Sequence, residues 1–228
     1  MNARCLLQFI QFSDSVLPVG AFAFSNGVES AIQHGIICDA DTLAEFTRSA
    51  LQQAATGDAR AVASCCRALQ AKDASAALIH DARLFSRKLN EEGRVMATRM
   101  GKKLAEMAAS VTGEARIAWW LAQIQAGNTP GTYPITQALV MNALGVTSRN
   151  IVVAHLYGVA MTLLSAAIRL MRITHIDTQR ILFSLNQDIE ALCDDAERGD
   201  LDQMASYAPV TEILASLHVQ AYTRLFTN

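Results

Sequence analysis

Between Ile117 and Ile168 the only Asp, Glu, Lys or Arg is Arg149. So long a stretch without charge has to be shielded from water, by the chain's own core, by a partner or by lipid. Within it, Asn150 to Ile168 is uncharged and close to the roughly 20 residues that span hydrocarbon. That run nevertheless carries Asn150, His155, Tyr157, Thr162 and Ser165, whose polar groups fall on several faces of a helix. Such a distribution suits the middle of a soluble bundle better than lipid, so no membrane span is expected.

Elsewhere apolar residues recur at three- and four-residue spacing, strand signals are few, and Gly or Pro stands where helices should stop. The expected class is all-α, a single-domain multi-helix bundle over residues 1–228. Asn26 with Glu29 reads as a helix start and Gly35 as a stop, and Thr42 with Glu45 starts a helix ending near Gly57. Further helices are expected at about Asp58–Gln70, Asp73–Leu89, Arg94–Val111 and Glu114–Ala126. A breaker stretch, Gly127 to Pro134, separates these from helices at about Ile135–Leu144, Asn150–Met171, Thr178–Arg198 and Thr211–Phe226.

Hydrophobic residues make up 51% and charged ones 18%. An ordinary soluble domain carries roughly 25% charge, so some apolar surface is expected to be hidden by partners. A net charge of -2 and a pI near 6.2 give no electrostatic reason to bind nucleic acid or an acidic membrane. The five cysteines, Cys5, Cys38, Cys65, Cys66 and Cys193, are odd in number without C-x-x-C spacing, and the first residues do not read as a signal peptide. A cytoplasmic protein with buried, unreactive cysteines is expected.

Motifs that would carry chemistry are missing. Neither a G-x-x-x-x-G-K-[ST] nor a G-x-G-x-x-G run is present for phosphate, and no G-x-S-x-G supplies a nucleophile. His34, His80, His155, His175 and His218 lack a second His or a Cys at metal-ligand spacing, and His175 with Asp177 reads as a capping region before Thr178. The expectation is a non-enzyme with no resident metal or cofactor, although catalytic groups that meet only in the fold would escape such a search.

Two segments read as interfaces. In Asp14 to Glu29, Pro18 and Gly20 break any helix, and Phe22 and Phe24 follow on an irregular backbone. Aromatics on a loop either anchor a partner or plug the end of the bundle. At the other end Leu214, Leu217, His218, Ala221 and Leu225 form a helical stripe with Tyr222 and Phe226 beside it, an apolar tail that docks on a partner or on its own bundle.

Both segments resemble the UreF family of urease accessory proteins: D-S-x-L-P-x-G-A-F-x-x-S-x-G-x-E over Asp14 to Glu29, and Tyr222-x-Arg224-Leu225-Phe226. In order between them, Arg94-x5-Met100-Gly101, Tyr133-Pro134 and Ala167-Ile168-Arg169-Leu170 resemble that family's further motifs, so the likeness runs from Leu6 to Phe226. The chain departs from the pattern at Met171-Arg172-Ile173, where Pro-Leu-Gly is common, at Val219, where Glu often follows the histidine, and at Ala23 and Ala97, where Ser is frequent.

The resemblance implies an all-α homodimer that binds UreD (also called UreH), recruits the GTPase UreG and docks on apo-urease to help deliver nickel. The N-terminal segment (about 1–24) and the tail (about 211–228) would be partner-binding. Pro18, Gly20, Phe22, Phe24 and Glu29 would face the GTPase, and His218, Tyr222, Arg224, Leu225 and Phe226 would face UreD. Arg94, Gly101, Tyr133, Pro134 and Arg169 match without an assigned role. A scaffold for nickel insertion is the leading expectation. A second is a modulator of UreG GTP hydrolysis acting through Arg94, Arg99 or Arg169; a third is an unrelated helical enzyme using His155.

Overall fold

The computed structural model describes residues 2–205, 208–219 and 224–226, which form twelve α-helices and two 3-10 turns and contain no strand. In order they are α1 (Ala3–Ser13), a 3-10 turn (Ala21–Ala23), α2 (Val28–Gln33), α3 (Ala40–Thr56), α4 (Asp58–Gln70), α5 (Ala76–Ser86), α6 (Glu91–Thr112), α7 (Ala115–Gln125), α8 (Tyr133–Ala143), α9 (Ser148–Leu170), α10 (His175–Leu185), α11 (Ile189–Arg198), a 3-10 turn (Leu201–Gln203) and α12 (Pro209–Val219).

Side chains that satisfy the first backbone N–H groups set several helix starts. Asp39 accepts from the Thr42 amide at 2.8 Å, so α3 begins before Thr42, which serves as the third residue of a capping box. Asp177 plays that part for α10, whose cap is Thr174, so the helix opens at His175 and not at Thr178. The Asn26–Glu29 start signal is not used: α2 follows Gly27 at φ 88°, and Glu29 turns its carboxylate elsewhere. α1 was not anticipated; Asn2 caps it by accepting from the Cys5 amide.

α9 holds the uncharged stretch at the centre, packed against α2, α3, α4, α8, α10 and α11. By length and composition it passes as a membrane span, but 56% of its most apolar window is buried in this bundle. Two of its polar side chains find partners nearby: Thr162 donates to the Gly158 carbonyl, and His155 Nδ1 lies 3.0 Å from Oε1 of Gln137 on α8. Trp120 of α7 is buried with its indole N–H on Thr136. Such fully buried side chains contribute about 1.5–3 kcal/mol each. Cys65 and Cys66 lie in the same core, where burial pushes the Cys66 thiol up to about 12.

Charges then fix the outer helices. Arg149, alone in its stretch, meets Glu190, Asp194 and Glu197, all on α11. The expected single helix Thr178–Arg198 is broken at Asn186–Asp188, where Asp188 turns to pair with Arg48 on α3 at 3.2 Å. Arg60 and Arg67 of α4 donate to the carbonyls of Gln203, Glu197 and Gly199, and Arg87 to that of Met204, so the chain after α11 is strapped onto α4 and α5. Of the expected helix Thr211–Phe226, α12 covers the described residues up to Val219, and Arg224–Phe226 is irregular.

Candidate functional site: a clasp joining the two ends

Residues 14–27 cross the face of α9 as a loop, turned at Gly20 (φ 91°) into a single 3-10 turn that carries Phe22. A positive φ is cheap only for glycine, which explains Gly20 between Val19 and Ala21. Phe22 is 70% exposed, yet one face of its ring lies on the Arg169 guanidinium, 3.9 Å from the centroid. The same guanidinium meets the Phe226 ring at 4.0 Å, and Arg169 Nη1 donates to the Phe22 carbonyl at 2.7 Å. One α9 arginine therefore sits between an aromatic of the N-terminal loop and an aromatic of the tail.

A buried polar chain runs beside it. The Glu29 carboxylate accepts from the Leu225 and Phe226 amides at 2.8 and 3.2 Å, and lies 2.9 Å from Nε2 of His218. His218 Nδ1 lies 2.8 Å from Glu92 at the start of α6. Asn90, which caps α6 by accepting from the Gly93 amide, also donates to Glu212 of α12. α2, α6, α12 and the tail thus meet at one ionic node, as buried charge requires.

The residues expected at the interfaces differ in burial within this chain. Phe24, Glu29, His218 and Phe226 are sealed inside the chain, Phe226 at 2% exposure, and support the surface from beneath. Pro18, Gly20, Phe22, Arg224 and Leu225 are exposed, Leu225 at 71%. Tyr222 lies outside the described residues. The loop and tail, separate in sequence, are brought together across Arg169. Beside them α1 exposes Leu6, Leu7 and Ile10, and α12 exposes Val210, Ile213 and Leu217.

The matched residues without a role acquire one. Gly101 of α6 packs against the backbone of Gly131, Thr132 and Tyr133, where a Cβ would overlap. That approach brings Gly101 and the Tyr133-Pro134 step together at the start of α8. Arg94 stacks on Phe85 and donates to the Lys88 carbonyl, closing the turn between α5 and α6.

Sequence reasoning missed Asp81, whose buried carboxylate accepts from the Gly131 and Thr132 amides and from the Thr129 and Thr132 hydroxyls. The signal existed: Asp81 falls on the same α5 stripe as Ala77 and Leu84, and an acid on an apolar stripe demands donors. Glu92, Asp58 and Lys88 were missed too, being isolated charges until the fold assembles them. Asp58 is gripped by Lys88 at 2.7 Å from each oxygen. Burial pushes its carboxyl up, but Lys88 and His155 together hold it below the usual value. Burial holds His155 down to about 4, so it is neutral at pH 7.

Among the described residues no group of three or more His, Cys, Asp or Glu is placed to hold a metal ion. What fold and site define is an all-α protein whose N-terminal loop and C-terminal tail meet across Arg169. Residues 37–186, more than half of the chain, match the UreF family. Relatives named urease accessory protein UreF are similar over the full length of both chains: 64% identical in Photorhabdus laumondii, 59% in Yersinia enterocolitica and 59% in Yersinia pseudotuberculosis. The chain belongs to the UreF family.

Proposed function

We propose that the chain serves urease maturation as a non-catalytic, cytoplasmic scaffold. It binds UreD/UreH, recruits UreG to apo-urease and so promotes nickel insertion, nickel being cargo and not a resident ion. The observation that carries this reading is the clasp. Loop and tail, the segments expected to face partners, are held side by side by Arg169 and Glu29, and Val16 and Phe22 of the loop, Leu225 of the tail and Leu7 and Ile10 of α1 are exposed. Contiguous exposed apolar side chains mark interaction sites. Leu225 and α1 are assigned to UreD and the Pro18–Phe22 turn to the GTPase.

A homodimer is assigned to the outward face of α10, where Ile176 and Phe183 are exposed in a shallow apolar patch flanked by Gln179 and Gln187. Such a face pairs with its own copy across a two-fold axis.

Co-purification with UreD, UreG and apo-urease tests the reading. Leu7→Asp and Leu225→Asp are expected to weaken UreD capture by about tenfold or more. Undiminished capture by both variants would remove the clasp from the interface. The second reading, modulation of UreG turnover, has a narrower basis: Arg94 and Arg169 are occupied, whereas Arg99 is exposed and in no ion pair among the described residues. Single-turnover GTP hydrolysis with wild type and Arg99→Ala separates the two, since a pure scaffold leaves the rate unchanged.

A further inference from the structure

The ionic node of α2, α6, α12 and the tail rests on two short contacts that need protons. Nε2 of His218 lies 2.9 Å from an oxygen of Glu29, and its Nδ1 lies 2.8 Å from an oxygen of Glu92. A ring nitrogen and a carboxylate oxygen that both lack hydrogen are two acceptors, and at that separation they repel. Each contact therefore holds one proton, whichever of its two partners owns it, and the node holds two.

All three side chains are buried. Of the charged groups on the surrounding elements, Glu29 of α2 and Glu92 of α6 face the ring, Glu212 of α12 itself turns to Asn90, and Arg169 of α9 stacks on Phe226. Taking one proton from the node sets two lone pairs against each other in one contact. It also adds a unit of negative charge where two carboxylates already lie, in surroundings that screen charge poorly.

Water relieves both effects, and its way in is the separation of α12 from α2 and α6, the helices on which it packs. The tail is tied to the same group: Leu225 and Phe226 donate their amides to the Glu29 carboxylate, so hydration of that carboxylate replaces them as well. We propose that the node is a proton-dependent latch: α12 and the tail stay docked on α2 and α6 while it holds two protons, and undock as pH rises and one is lost to solvent. The sign follows from linkage, since the docked state binds the extra proton and is the state that a falling proton concentration disfavours. The latch needs only this chain and is independent of the partners proposed above.

Trypsin reads the latch in the full-length chain, because Arg224 is exposed whereas the amide of the next residue, Leu225, is bound to Glu29. Cleavage after Arg224 is followed by mass spectrometry and divided, at each pH, by the rate of the same trypsin on benzoyl-arginine ethyl ester. The normalised rate is expected to rise about tenfold or more from pH 7 to 9.5, one proton allowing up to about tenfold per pH unit. Far-UV circular dichroism and cleavage after Lys102 of α6 should stay level, and His155 and Asp58 titrate below this range. Glu92→Gln gives Nδ1 a partner that can either donate or accept, so the contact survives loss of the proton and the profile should be level. His218→Gln, which has no ring to titrate, should be level too and decides the matter if Glu92→Gln loses helical content. A level wild-type profile, a wild-type rise in either folded variant, or a parallel rise in cleavage after Lys102 would each overturn the proposal.

Discussion

A Cβ on Gly101 would overlap the Gly131 carbonyl oxygen and the peptide joining Thr132 to Tyr133, because α6 and the chain entering α8 touch backbone to backbone there. Exposed helical Gly→Ala changes gain about 1 kcal/mol, but here the sign reverses. Gly101→Ala is expected to lose roughly 2–4 kcal/mol in urea unfolding, since the obstacle is backbone that cannot rotate aside. A variant as stable as wild type would show that the 129–133 loop can retreat from its Asp81 anchor. His155 sets a pH dependence. Burial lowers its folded-state value to about 4 from the ordinary 6.5, so between those limits the unfolded chain takes up a proton that the folded chain refuses. The stabilisation is complete above about pH 6.5 and is lost as pH falls toward 4, at most on the order of 3 kcal/mol. Asp58 works in the same direction but only below the ordinary aspartate value of 3.8. Urea unfolding at pH 7 and 4.5 should show wild type losing more stability than His155→Gln; equal losses would assign the titration to another group.

Among the elements, α12 and the tail separate what is helical from what is merely apolar. Of the expected stripe, Leu214 and His218 face inward whereas Leu217 and Leu225 are exposed, and the segment 224–226 is irregular and is held by the Glu29 carboxylate and the Arg169 guanidinium. Removing residues 224–228 takes two donors from Glu29 and one ring from Arg169 while deleting no described helical residue. Far-UV circular dichroism should be unchanged. The thermal midpoint should fall by several degrees, since burying a Phe is worth about 1.5–3 kcal/mol and each kcal/mol shifts a chain of this size by about 2–4 °C. An unaltered midpoint would mean that Phe226 contributes nothing to the folded chain. The break between α10 and α11 has a similar origin. An uninterrupted helical pattern was cut because Arg48 holds Asp188 while Arg149 holds Glu190, Asp194 and Glu197.

At the scale of the molecule, the apolar excess is only partly consumed by the core. α10 presents Phe183 at 77% exposure and Ile176 beside it on one face. If that face joins two copies, Phe183→Asp should yield a monomer by light scattering with helical content retained, because it places a charge against its own symmetry mate. A dimer that survives the change would locate the contact elsewhere.

Helical class, most segment positions and the motifs of the two ends were legible in the sequence, because periodicity, capping residues and Gly or Pro act over a few neighbouring residues. Local pattern likewise marked the uncharged stretch as shielded from water, and Phe22, Phe24, Leu225 and Phe226 as groups that dock on a partner or on the chain itself, without deciding which. It did not reveal that Glu29, Glu92, His218 and the 225–226 amides form one node, nor that Arg169 lies between Phe22 and Phe226. Those contacts join residues far apart in the chain, and a carboxylate or guanidinium looks the same in sequence whether it meets water or a buried partner. Only packing α2, α6, α9 and the tail together removes the water, and with it the freedom of those groups to remain unpaired.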